Sequence, residues 1–133
     1  MAEPVLLAIL FADKVITEDN GKKGIIGTFT RFNAPSFPAV FQPWAIYVAF
    51  TNIHGPHKFS FELIKTDDNT VIFPVQGDFN VASKEETVEL GINIAGVTFP
   101  AEGKYYLVFK INGETVGARF LQVSKVEPPA VKK

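Results

Sequence analysis

Hydrophobic and polar residues alternate along much of this chain, the pattern of β-strands that are buried on one face. The clearest case is TVELGINIAG, in which Val88, Leu90, Ile92 and Ile94 share one face and polar residues and Gly91 share the other. Similar alternation predicts strands over 44–51, 58–65 and 71–75, with a less regular strand over 25–32. No stretch of a dozen residues carries a helical stripe, so the pattern predicts an all-β chain.

The strongest local signal is a hairpin near the end of the chain. Asn112-Gly113 is a preferred pair for a type I′ turn, because both central residues need positive φ. A two-residue loop there predicts pairs that share one face: Phe109–Val116, Leu107–Ala118 and Tyr105–Phe120. The other face receives Lys110, Val108 and Tyr106 opposite Thr115, Gly117 and Arg119. A slip of one residue would exchange the two faces.

Seven or eight short strands separated by frequent turns indicate a two-sheet antiparallel β-sandwich, with a jelly roll as the alternative. The segment AEGKYYL favours the immunoglobulin-like type, because Tyr105 follows a turn and stands two residues before a predicted buried position, Leu107. Trp44 matches the buried strand-C tryptophan of such domains. Pro74 indicates an edge strand. We expect one domain over 1–125 and a polar tail over 126–133.

Composition excludes several kinds of function. The chain has 133 residues, a formal net charge of −1 and no cysteine, so disulfides, thiolate nucleophiles and iron–sulfur clusters are ruled out. Arginine occurs only at Arg31 and Arg119, which argues against nucleic-acid binding. The apolar run Val5 to Ala12 follows Ala2, Glu3 and Pro4, without the positive charge of a signal peptide, and is too short to span a bilayer. It therefore predicts a buried first strand. We therefore expect a soluble cytoplasmic protein, with export by another route as the alternative.

The order of these segments resembles a known family. ADKVI, an acidic turn with Gly-Lys, IIGTF, FELIKTDDNTVI and FPAEGKYYLVFKINGETVG follow one another as in a family of small bacterial proteins known as a domain of unknown function, the family numbered 6941. The resemblance spans about Val5 to Val123. It implies a stand-alone immunoglobulin-like sandwich in bacteria and carries over no catalytic residue.

Both histidines lie in the stretch NIHGPHK. His54 and His57 are weak candidates for metal ligands, because a firm site needs three or four ligands and the chain has no other histidine or cysteine. Gly55-Pro56 is a strong turn pair, so we expect a short connection between the strand of Trp44 and the strand of Phe59. We predict neither a metal site nor a cofactor. A metal-dependent hydrolase that uses both histidines is an alternative.

Exposed aromatic side chains are the other candidate feature. Tyr47 and Tyr106, on predicted outward faces, are candidate contact residues, and Trp44 joins them if it is exposed. The sequence thus favours a non-enzymatic module that binds a protein partner, with a homo-oligomer as a further possibility. A carbohydrate-binding module is a second alternative, and it requires an exposed aromatic platform.

Overall fold

A computed structural model describes residues 3–126, and nearly all of its regular structure is β-strand. The strands are β1 Val5–Thr17, β2 Lys23–Phe29, β3 Arg31–Ala34, β4 Ala39–Val40, β5 Trp44–Thr51, β6 Gly55–Lys65, β7 Thr70–Val81, β8 Val88–Ile94, β9 Thr98–Phe99, β10 Gly103–Ile111 and β11 Glu114–Lys125. Within this range the structure has no helix long and apolar enough to cross a membrane. The predicted all-β class is confirmed.

Nine of these strands form two sheets that face each other. The four-stranded sheet has the order β2-β1-β5-β8, and the five-stranded sheet has the order β3-β11-β10-β6-β7. The predicted strand over 25–32 is divided between them, because β2 pairs with β1 and β3 pairs with β11. The β3–β11 pair is parallel, an exception to the expected antiparallel pairing. The predicted two-sheet sandwich is confirmed.

Alternate residues of the facing strands fill the space between the sheets. The largest fully buried side chains are Tyr105, Phe11, Phe50, Phe61, Phe99 and Phe109. The apolar start of β1 was predicted to form a buried strand, but Val5 and Leu7 are 48% and 54% exposed. The alternation of the strand explains the difference, since Ile9 and Phe11 face the core and the first residues reach the rim.

Tyr105 forms the corner that the sequence predicts. Its ring is fully buried beside Phe99, with ring centroids 5.2 Å apart and an angle of 80° between planes. Its hydroxyl donates a hydrogen bond of 2.6 Å to the carbonyl oxygen of Ala101, four residues upstream. This link from strand to preceding turn is the tyrosine corner of immunoglobulin-like sandwiches. The fold is therefore an immunoglobulin-like sandwich.

The predicted hairpin turn and the predicted pair Lys110–Thr115 are confirmed, but the predicted register is wrong beyond that pair. Asn112 and Gly113 have φ of 52° and 84°, as a type I′ turn requires. Phe109 then pairs with Gly117 while Lys110 pairs with Thr115, so Val116 is an extra residue without a partner. This β-bulge shifts the rest of β11 by one position, because it places two residues opposite one.

The shift exchanges the faces of β11. Tyr105 pairs with Leu121, and Phe120 pairs with Tyr106 on the outer face of the sheet. Arg119 was predicted to face outward, but it pairs with Leu107 and its guanidinium donates to the carbonyl oxygen of Ile9 in the other sheet. The bulge thus turns an arginine into a link between the sheets and places a phenylalanine at the surface.

Pro74 lies in β7, an outer strand of the five-stranded sheet, so the predicted edge strand is confirmed. The predicted tail, 126–133, lies outside the described residues except for Val126. The domain boundary at 125 stays a prediction.

Candidate functional site

The histidine stretch connects the two sheets. β5 belongs to the four-stranded sheet and β6 to the five-stranded sheet, so the segment between them crosses from one layer to the other. Asn52 and Gly55 both have positive φ, at 67° and 89°, which allows the tight change of direction. The predicted short connection is confirmed, and β6 begins inside the quoted stretch, at Gly55. His54 is exposed and His57 is half-buried.

Both ring nitrogens of His57 are already in hydrogen bonds. Its Nε2–H donates to the carbonyl oxygen of His54 at 2.7 Å, and its Nδ1 accepts from Nδ2 of Asn112 at 2.8 Å. Asn112 also accepts at Oδ1 from the backbone amide of Lys58, at 3.0 Å. His57 therefore connects the inter-sheet segment to the hairpin turn, and a metal ion at either nitrogen would have to displace one of these bonds.

Shallow depressions surround this network at one end of the sandwich. One of about 530 Å³ lies between His57, Phe79 and Asn112, and another of about 630 Å³ lies beside Phe59 and Gly77. The charged groups at their rim, Lys58 and Asp78, form an exposed ion pair with 3.5 Å between Nζ and Oδ1. No group of three or more His, Asp or Glu side chains within residues 3–126 is arranged to hold a metal ion. Hydrogen bonds of His57 and Asn112 therefore hold the strands together at this end of the sandwich, and the depressions around them are open to solvent.

Trp44 and Tyr47 are not exposed, in contrast to the contact surface expected for them. Trp44 is 3% exposed and lies in the core, and Tyr47 is 8% exposed. The face assigned to Tyr47 is correct, since it alternates with the core residues of β5. Its burial results from neighbours: its hydroxyl donates to Glu89, and Val15 packs over Gly91, which pairs with Tyr47. Neither side chain offers a free ring to a ligand.

The Tyr47–Glu89 pair has a testable electrostatic signature. Burial, followed by the hydrogen bond to Glu89 and the charge of that carboxylate, raises the pKa of Tyr47 to about 12. Glu89→Gln removes the negative charge that disfavours tyrosinate, so we expect the pKa of Tyr47 to fall. Spectrophotometric titration of tyrosinate should show one of the three tyrosines ionising at lower pH than in the wild type. Superimposable curves for the two proteins would contradict this coupling.

Tyr106 lies on the outer face of the five-stranded sheet, as predicted, and has apolar neighbours. It pairs with Phe120 on one side and Ile64 on the other, and Ile64 pairs with Val71. We call these four residues, Phe120, Tyr106, Ile64 and Val71, the apolar row. Phe120 and Val71 are 46% and 48% exposed, and the rings of Tyr106 and Phe120 have centroids 4.1 Å apart. The row crosses four strands of the sheet, from β11 to β7.

Charged side chains border the apolar row. The ammonium of Lys104 lies 4.8 Å from the centroid of the Phe120 ring. Lys110, four residues after Tyr106, and Glu62, two residues before Ile64, form an ion pair with 2.8 Å between Nζ and Oε1. Lys104 is in none of the ion pairs found within residues 3–126. The sequence indicated Tyr106 but not Phe120 as its neighbour, because the predicted register did not include the bulge at Val116.

Comparison with known proteins gives a family for this chain. No curated protein matches the chain. The crystal structure of an immunoglobulin-like protein from Pseudomonas aeruginosa at 1.50 Å resolution is similar, with 12% identity, a TM-score of 0.43 and coverage of 92% of this chain and 97% of that chain. A family model described as a family of unknown function, DUF6941, matches residues 7–124. Since that match spans most of the sequence, the chain belongs to the family of unknown function DUF6941.

Proposed function

We propose that this protein is a non-enzymatic bacterial module that binds a protein partner through the apolar row. The single observation that carries the proposal is the exposure of Phe120 and Val71 at its two ends, with Tyr106 and Ile64 half-buried between them. Large apolar side chains that lie together on a surface mark interaction sites more often than isolated ones do. The strands beneath the row hold it rigid, which lowers the entropic cost of binding.

The border of the row indicates the chemistry of the partner. Lys104 lies beside Phe120 without a carboxylate partner among the described residues, whereas Lys110 and Glu62 neutralise each other. A partner surface with an apolar centre and a carboxylate opposite Lys104 would bury the row and pair the remaining charge. Aromatic residues at the centre of such interfaces carry a large share of the binding energy. The proposed partner is therefore a protein whose binding surface has an apolar centre and an acidic side chain at its border.

The two other functions considered have less support. A sugar-binding platform needs a free ring face, but Trp44 is buried and the Phe120 ring already contacts both Tyr106 and Lys104. A hydrolase that uses the histidines needs a free imidazole nitrogen, whereas His57 uses both of its own. We also propose that the module works in the bacterial cytoplasm, and the lack of cysteine fits a reducing compartment.

Site-specific photocrosslinking in the native cell tests the proposal. A photoreactive residue in place of Val71 samples the apolar row, and one in place of Thr28 samples the other sheet. We expect a protein adduct from position 71 that is absent from position 28 and disappears when Phe120→Ser is added. The captured protein is then purified, and its affinity is measured by calorimetry.

A matched pair of substitutions separates the row from general surface effects. Phe120→Ser should weaken binding of the captured protein about tenfold or more, since it removes the exposed aromatic side chain of the row. Leu7→Ser changes an apolar residue of comparable exposure on the other sheet and should leave the affinity unchanged. Equal losses for both variants, or no adduct that depends on position 71, would contradict the assignment. Binding to a glycan array without a protein adduct would favour the carbohydrate function instead.

A further inference from the structure

β8 is the most open edge among the outer strands of the two sheets. Within residues 3–126 it pairs only with β5, so its other side presents unpaired backbone groups. The other outer strands carry features that discourage pairing. β2 contains Gly27 at φ of 70°, β3 has only four residues, and β7 contains Pro74 and a register shift. β8 is regular, lacks proline and has one charged residue, Glu89.

The side chains of β8 also favour an added strand. Val88, Leu90 and Ile92 belong to the inner face but are only half-buried, because no neighbouring strand covers them on the open side. On the outer face Gly91 leaves room for Val15, since an added Cβ would lie 2.7 Å from its Cγ1. An additional strand beside β8 would therefore remove apolar surface from water and satisfy backbone groups together.

The order of residues in VELGINI identifies the strand that fits. A chemical palindrome is centred on Gly91, with Val88 matching Ile94, Glu89 matching Asn93 and Leu90 matching Ile92. If a second β8 lies antiparallel with Gly91 opposite Gly91, every apolar residue faces an apolar residue and Glu89 faces Asn93. No like charges meet. A twofold interface requires such self-complementarity, because each contact occurs twice.

The carboxylate of Glu89 is positioned to accept a hydrogen bond from Asn93 of a second copy. Its Oε2 accepts from the Tyr47 hydroxyl, which fixes the carboxylate on the outer face of β8. The other oxygen, Oε1, is available to accept from the amide of Asn93 in a second copy. Asn93 is exposed and at the correct register. A hydrogen bond to a carboxylate is stronger than one between neutral groups.

We propose that the protein forms a twofold dimer in which β8 pairs antiparallel with β8 of a second copy, centred on Gly91. The dimer joins two four-stranded sheets into one continuous sheet and leaves the apolar row free on the other layer of each copy. A pair of seven-residue strands buries less than the roughly 1,200–2,000 Å² of a standard interface, so we expect micromolar association. The proposal is independent of the binding function proposed above.

Sedimentation velocity of the full chain over a range of concentrations tests the dimer. Asn93→Glu places carboxylates opposite Glu89 at two symmetric positions, and we expect the dissociation constant to rise about tenfold. Asn93→Lys places an ammonium there and should keep or strengthen the dimer. Thr28→Glu adds the same charge to β2, at the opposite edge of the sheet, and should have no effect. Asn93 and Thr28 are both exposed, and thermal melts verify that each of the three variants folds.

Each result either supports or overturns the dimer. Association that Asn93→Glu weakens and Asn93→Lys preserves supports it, because only the opposing Glu89 distinguishes the two charges. A wild-type protein that stays monomeric up to about 500 μM overturns it, since that exceeds the micromolar range expected. Association that is insensitive to both Asn93 variants, or equally weakened by Thr28→Glu, also overturns it.

Discussion

Trp44→Ala is expected to lower the free energy of unfolding by about 3–5 kcal/mol, the largest effect predicted for a single residue in this protein. Five phenylalanine rings have centroids within 6.5 Å of the indole: Phe11, Phe29, Phe32, Phe73 and Phe99. Two of these rings come from the four-stranded sheet, two from the five-stranded sheet and Phe99 from β9. Truncation therefore leaves a cavity that no single element can fill. Urea denaturation followed by circular dichroism measures the loss without relying on tryptophan fluorescence.

The control for Trp44 is an exposed apolar residue. Leu7→Ala removes a side chain that is 54% exposed, so we expect a change within about 0.5 kcal/mol. Similar unfolding curves for the two variants would mean that Trp44 is outside the core. The result also bears on function, because a core tryptophan cannot serve as the sugar platform that the sequence left open.

Tyr105→Phe is the second large expected effect, at about 1–3 kcal/mol of unfolding free energy. The substitution retains the buried ring but removes the hydroxyl that bonds to the carbonyl of Ala101. That oxygen is then left without its partner in a turn that orders the start of β10, and an unsatisfied polar group costs more than the bond itself contributes. Chemical denaturation of the variant and the wild type provides the comparison.

The neighbouring tyrosine gives a matched control. Tyr106→Phe makes the same chemical change one residue along the strand, on the outer face. No hydrogen bond of its hydroxyl is found within residues 3–126, so we expect a change within about 0.5 kcal/mol. Equal destabilisation by the two substitutions would show that the corner hydroxyl contributes nothing specific.

The sequence predicted the fold because the relevant signals are local. Period-2 alternation specifies which residues of a strand face the core, and Asn112-Gly113 specifies the turn. Tyr105 is detectable because its hydroxyl bonds only four residues away. These features need no knowledge of distant neighbours, so a single sequence is sufficient to find them.

The candidate surfaces could not be predicted in the same way, because they depend on distant contacts. Tyr47 was assigned to the correct face, but its burial needs Glu89 and Val15 from other strands. His57 was recognised, yet its partner Asn112 is 55 positions away. Phe120 was placed inside because the predicted ladder ran without interruption past Val116, whereas Val116 is an extra residue beside Gly117.

The bulge at Val116 makes the length of the β10–β11 hairpin more important than the identity of its exposed residues. Substitutions at Glu114 or Thr115 change only exposed side chains. Insertion or deletion of one residue before Gly117 would instead exchange the faces of β11, so that Arg119 would point away from Ile9 and Phe120 would point toward the core. Gly117 adds a steric limit, since the Leu6 side chain occupies the space of its missing Cβ. Among related sequences, insertions and deletions should therefore be rarer in this hairpin than point changes.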